Sequence, residues 1–159
     1  IGEVRAALRE GLMIALGDSG HPAAPFVLRE VATSARELEG ARKQALEGLG
    51  ATGAPTALAD LVRVYDDPAS PLGVRLAALR GVAQLPSGEA LAWLVQQIDG
   101  ASREERRASV VALGLFGSAW AWEARGREWA GQADVLRGDA ARALTERLSR
   151  LTDCADEVI

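Results

Sequence analysis

Cysteine, histidine and methionine each occur only once among the 159 residues. A lone Cys154 cannot form an internal disulfide and has no second thiol for a metal site, so it reads as a free thiol near the C-terminus. A lone His21 leaves no imidazole cluster, and neither a metal nor a cofactor is expected. Aromatic residues are scarce, at 4% of the chain, while Ala, Leu, Gly and Arg are abundant. That balance favours closely packed helices over a β-sandwich. No apolar run approaches the ~20 residues of a membrane span, and no basic-then-apolar signal segment opens the chain. The formal net charge of −4 gives no bulk attraction to nucleic acid or to an anionic membrane. The first residue is Ile1 rather than Met, so an excised or processed piece is expected. The compartment is left open with the cytoplasm as default, and the oligomeric state is open too.

What the chain does have is a repeat. The pattern Arg-x-x-apolar-apolar-x-x-apolar-small fits Arg42, Ala45, Leu46, Leu49 and Gly50. It fits again at Arg9 with Leu12, Met13, Leu16 and Gly17, and at Arg75 with Ala78, Leu79, Val82 and Ala83. Arg106 with Ser109, Val110, Leu113 and Gly114 follows, and Arg137 starts a weaker copy. Successive anchors stand 33, 33, 31 and 31 residues apart. A period in the low thirties is the signature of stacked repeats.

Each unit has a second half. Eleven residues past the anchors come Gly20, Gly53, Pro86 and Gly117, which break a helix. After them Leu58, Leu61, Val62 and Tyr65 match Leu91, Leu94, Val95 and Ile98, an i, i+3, i+4, i+7 stripe. A unit is therefore helix A, a Gly/Pro turn, helix B and a polar link such as "DDPASPLG". One such hairpin cannot bury its apolar face alone, so stacking makes the core. The expected architecture is all-α, one domain over residues 1–159, with about four hairpins and a C-terminal helix near Ala133 to Leu151. Leu46 and Leu79 are expected in the core.

The stretches "VRLAALRGVAQL" and "ARKQALEGLGATG", with Asp67 before Arg75 and Asp99 before Arg106, resemble HEAT-like repeats. The likeness is to the short bacterial type also found in phycobilin lyases, and it spans roughly residues 3 to 150. The resemblance implies a right-handed α-solenoid with the B helices on its concave side. It also implies an Asp–Arg ladder between repeats, for which the first link offers only Glu37 or Glu39 before Arg42. Unit four departs furthest, since Arg125 and Gly126 replace the stripe residues Leu61 and Val62. A longer solenoid of which this is a fragment is a further expectation.

Candidate chemistry is thin. "GDSGHP", residues 17–22, mimics a serine-hydrolase nucleophile loop, but an activated serine needs a base and an orienting acid placed by the fold. The segment aligns with the inter-helix turn "GATGAP", so a turn is expected and no catalytic residue is assigned. The pairs Asp66-Asp67 and Glu104-Glu105 lie in helix links, and adjacent helical residues diverge by about 100°, so caps and ladder partners are expected rather than an acid/base dyad. Trp122 and Trp129 align with core positions, whereas Trp120 aligns with solvent-facing ones.

The expectation is a non-catalytic binding module whose groove of B helices takes a protein or peptide. Its outward positions, read as lying off the apolar stripe, are Asp60, Arg63, Trp93, Gln96, Gln97 and Arg127, with Trp120 beside them. Trp93 follows Leu91 by two residues, about 200° round the helix, and its equivalents are Val27, Asp60 and Ala124. A large aromatic there is a natural partner anchor. The rival class is an enzyme, a bilin-type lyase or a HEAT-like DNA glycosylase. A nucleic-acid groove is disfavoured by Asp60, Glu30, Glu123 and Glu128.

Overall fold

The computed structural model describes residues 2–99, 102–116, 135, 138–147 and 149. Among them secondary structure is helical throughout, with seven helices in chain order: α1 (Gly2–Asp18), α2 (Ala24–Thr33), α3 (Glu39–Ala51), α4 (Ala57–Asp66), α5 (Leu72–Val82), α6 (Gly88–Gln97) and α7 (Arg103–Gly114). Residues 138–147 are also helical. The expected Trp122 and Trp129 core positions, and Cys154, lie outside the described residues. The chain forms two compact units, Ile1–Leu85 and Pro86–Ile159.

In the first unit, α1, α3 and α5 are the A helices and α2 and α4 the B helices. The A-to-B turn is the same object twice. Ser19 donates its hydroxyl to the Leu16 carbonyl at 2.8 Å, and Thr52 donates to that of Leu49 at 2.6 Å. Each hydroxyl then accepts a backbone N–H two residues on, from His21 and Ala54. Between them Gly20 and Gly53 take φ of 66° and 63°, left-handed values that a side chain resists. Ser19 is thus the structural counterpart of Thr52, and its hydroxyl is committed to the turn.

α1 packs on α3 and α3 on α5, side by side and in the same direction. The contact is made where side chains are missing. A Cβ on Gly17 would stand 2.7 Å from the Gly48 Cα, and one on Gly50 would run into the Gly81 carbonyl. A Cβ on Gly48 would meet the Met13 carbonyl oxygen at 2.9 Å, and one on Gly81 that of Leu46 at 2.5 Å. Every one of these contacts recurs 33 residues later, so α1–α3 and α3–α5 are the same interface. Around it Leu46, Leu49, Leu79 and Val82 are fully buried.

The B helices pack against the A helices of their own and the following unit. In α6 and at its C-cap the expected stripe residues Leu91, Leu94 and Ile98 are buried, but in α4 the buried face differs from the stripe. Ala57, Leu61, Val64 and Tyr65 are buried while Leu58 and Val62 are only half so. Ala24 and Ala57 are fully buried at equivalent places in α2 and α4, as are Leu28 and Leu61. The small alanines, weak in any hydrophobicity count, set the face and turn it by about one residue. In α1 the repeat is broken at one place: Leu12 is exposed, although Ala45 and Ala78 at the equivalent positions are buried.

In the second unit α6 packs on α7. Ser87 caps α6 by accepting the Ala90 N–H at 3.0 Å. Ser102 and Glu105 close a capping box at the start of α7, with bonds of 3.1 and 2.9 Å. Asp99, expected to pair with Arg106, is ion-paired to Arg147.

Leu46→Ala and Leu79→Ala should each cost roughly 2–5 kcal/mol, read from denaturant midpoints at unchanged slope. The glycines should divide by position. Gly50→Ala forces α3 off α5 and should cost about 1–3 kcal/mol. Gly11→Ala meets nothing within 4 Å and should stabilise by about 0.5–1 kcal/mol through helix propensity.

Candidate functional site

A groove of about 1150 Å³ opens along α2 and α4 in the first unit. Phe26, Arg29, Glu30 and Thr33 line it from α2, and Arg63, Val64 and Asp66 from α4. Arg42 enters from α3, and Asp67 and Ser70 from the link after α4.

The walls are held by ion pairs. Asp60 reaches Arg63 one turn on in α4 and Arg29 of α2 at 3.7 Å, tying the two B helices together. Its placement corrects the sequence reading: Asp60 is only 8% exposed and does not face solvent. The alanine-set register brings position 60 onto the buried face, and the two guanidinium groups make that carboxylate tolerable there. Arg63 is exposed on the groove wall. Arg29 also lies over the ring of Phe26, 5.5 Å from its centroid, while Phe26 itself is 64% exposed.

The floor belongs to Arg42, the repeat's anchor. Its Nε donates to the Ala32 carbonyl at 3.0 Å and an Nη to the Ser70 hydroxyl at 3.3 Å. Ala32 lies in the last turn of α2, where unpaired carbonyls carry partial negative charge, so the cation both caps and neutralises that end. Arg75 repeats the bond, giving its Nε to the Tyr65 carbonyl of α4 at 2.6 Å, with its guanidinium 5.3 Å from the Tyr65 ring. A guanidinium carries five N–H donors. Those Arg42 does not give to Ala32 and Ser70 have no acceptor among the described residues.

Anchors also reach forward. Arg9 is ion-paired to Glu37, and Arg42 meets Ser70 at the same separation of 28 residues. Glu37 therefore serves the anchor of its own hairpin, not Arg42 as the ladder expectation had it. Asp67 accepts the Ala69 N–H and the Ser70 hydroxyl, both at 2.9 Å. Those two bonds, in that order, hold its carboxyl below the ordinary value, with the charges of Arg42 and Arg75 adding and desolvation opposing.

Trp93, Gln96 and Gln97 belong to α6 of the second unit. Trp93 is half-buried in α6, where its carbonyl accepts the Gln97 amide at 3.3 Å. Gln96 is exposed and Gln97 half-buried. Trp120 and Arg127 are outside the described residues. Of the seven, the structure brings together Asp60 and Arg63. Sequence reasoning missed Phe26, Arg29, Thr33 and Ser70 as lining residues. The 33-residue equivalence of Phe26 with Ala59, an off-stripe position, was the available signal.

Among the described residues no group of three or more His, Cys, Asp or Glu could hold a metal ion, and no helix is long and apolar enough to cross a membrane. Searches of protein-family models and of curated proteins find no match for this chain.

Asp67 supplies a pH test. A carboxyl depressed in the folded state adds stability above its unfolded value, near 3.9, and that stability is lost as pH falls through the folded value. The urea midpoint should therefore drop between pH 5 and pH 3, and Asp67→Asn should make that drop smaller.

Proposed function

We propose that this domain is a non-catalytic binding module, a right-handed HEAT-like solenoid whose groove of B helices holds a segment of a partner protein. The observation that carries the reading is the floor of the groove: a buried arginine with donors left over, under a wall bearing an exposed aromatic ring. Peptide recognition asks for that pairing, an apolar anchor beside groups that hydrogen-bond a main chain or a carboxylate.

Size and charge support a polypeptide. Small-molecule pockets run to about 300–1,000 Å³ and enclose their ligand, whereas this groove is larger and open along two helices. Arg29, Arg42 and Arg63 are matched by Glu30, Asp66 and Asp67, with Asp60 beneath. A phosphate backbone would meet those carboxylates repeatedly, which speaks against a nucleic-acid groove and the glycosylase reading. The hydroxyl of Ser19, spent on a turn, leaves the serine-hydrolase likeness without a nucleophile.

Panning a random peptide display library against the whole protein tests this. Enriched peptides should bind at least about tenfold more weakly to Phe26→Ala, a change of about 1.4 kcal/mol or more. Phe26 is exposed, so the thermal midpoint should stay put. Failure to enrich any sequence, or binding indifferent to Phe26 and to Thr33→Arg in the groove, would defeat the proposal.

A further inference from the structure

α1 carries an apolar face that nothing among the described residues covers. Leu8 is 69% exposed and Leu12 54%, with Val4 and Ile14 exposed beside them. Ala7, Gly11 and Ala15 are exposed on the same side. An apolar helix face of this extent marks an interaction surface in a soluble protein. A terminal repeat is ordinarily polar on its outer side, and this one is not.

The repeat itself says what belongs there. Moving Leu8 and Leu12 forward by one period gives Ala41 and Ala45, and by two gives Val74 and Ala78, all at most 1% exposed. Ala7 and Ala15 move to Gly40 and Gly48, then to Gly73 and Gly81. At those glycines the preceding A helix makes its close approach. Gly48 faces the Met13 carbonyl and Gly81 that of Leu46, while Gly40 faces Glu10 and Gly73 faces Glu39 and Lys43, again on the preceding A helix. The face of α3 covered by α1 and the face of α5 covered by α3 are therefore the face that α1 leaves open. In both cases the covering helix comes one period earlier in the same polypeptide.

We infer that the open face of α1 is the seat of one more helical hairpin of the same repeat type, joined in tandem ahead of α1. It stacks on α1 as α1 stacks on α3. Its A helix brings a backbone carbonyl against Ala15, where α3 and α5 have glycine. The added methyl sets this contact slightly wider than the two below it. Leu8 and Leu12, larger than the alanines and valine at the equivalent positions, fill the extra space.

The test adds the missing period. A duplicate of residues 2–34 is fused ahead of Gly2, which restores the 33-residue spacing. Hydrogen exchange of the original α1 should slow at least about tenfold, and the thermal midpoint should rise by about 4 °C or more. Leu8→Asp with Leu12→Asp in the original α1 should cancel both gains. Those positions are exposed in the unextended protein, so the same pair should leave its midpoint unchanged. Unaltered exchange in the extended chain overturns the inference. So does a concentration-dependent dimer of the unextended protein, seen by light scattering and dissolved by Leu8→Asp, because the occupant is then a second copy.

Discussion

The bond from the Arg42 guanidinium to the Ala32 carbonyl joins every level of the first unit. A helix ends with carbonyls that have no partner within the helix, and burying them costs free energy unless a donor arrives. Here the donor comes from the next hairpin. The same atoms that finish α2 fix where α3 must lie, and Arg75 does the same for α4 and α5. A cation at a helix C-terminus is favoured by the aligned peptide dipoles, so the arrangement supplies attraction as well as satisfaction. Because Arg42 also reaches Ser70, the link after α4 is bound to the end of α2, and a groove is left between them.

Stacking of the A helices supplies the second constraint. Glycine at positions 17, 48, 50 and 81 lets backbones approach to distances a Cβ would forbid. That spacing is inherited by the B helices, whose separation sets the width of the groove. Leu28 and Leu61, at equivalent places in α2 and α4, are both fully buried, as the spacing requires. A change in one glycine would therefore be felt at the groove without touching its lining.

The electrostatics of the groove follow from the same geometry. Asp60 is buried because its helix face is buried, and it holds Arg29 and Arg63 in place from below. Arg29 and Arg63 share that carboxylate and are largely open to solvent, whereas Arg42 is the buried cation of the floor, with donors beyond those given to Ala32 and Ser70. On the proposed peptide-binding reading, such a site selects by hydrogen bonding and by the Phe26 ring more than by net charge. Its affinity should depend little on ionic strength, since matched charges release few counterions on binding.

Helix class, the turn positions, the period and the central leucines were all legible from the order of residues. They depend on local rules: glycine where φ must be positive, apolar residues at helical spacing, and an arginine every 31 to 33 residues. Leu46 and Leu79 are buried as their spacing requires. The site was legible only in part. Arg63 faces the groove and Asp60 does not, because the buried face of α4 is set by an alanine, Ala57, that a hydrophobic count discounts. Phe26, Ser70 and Arg42 become neighbours only through contacts between hairpins, and no residue's own sequence surroundings carry that information. Local periodicity determined which helices form. Backbone approach at the glycines, and the arginine bonds between hairpins, decided which side chains meet.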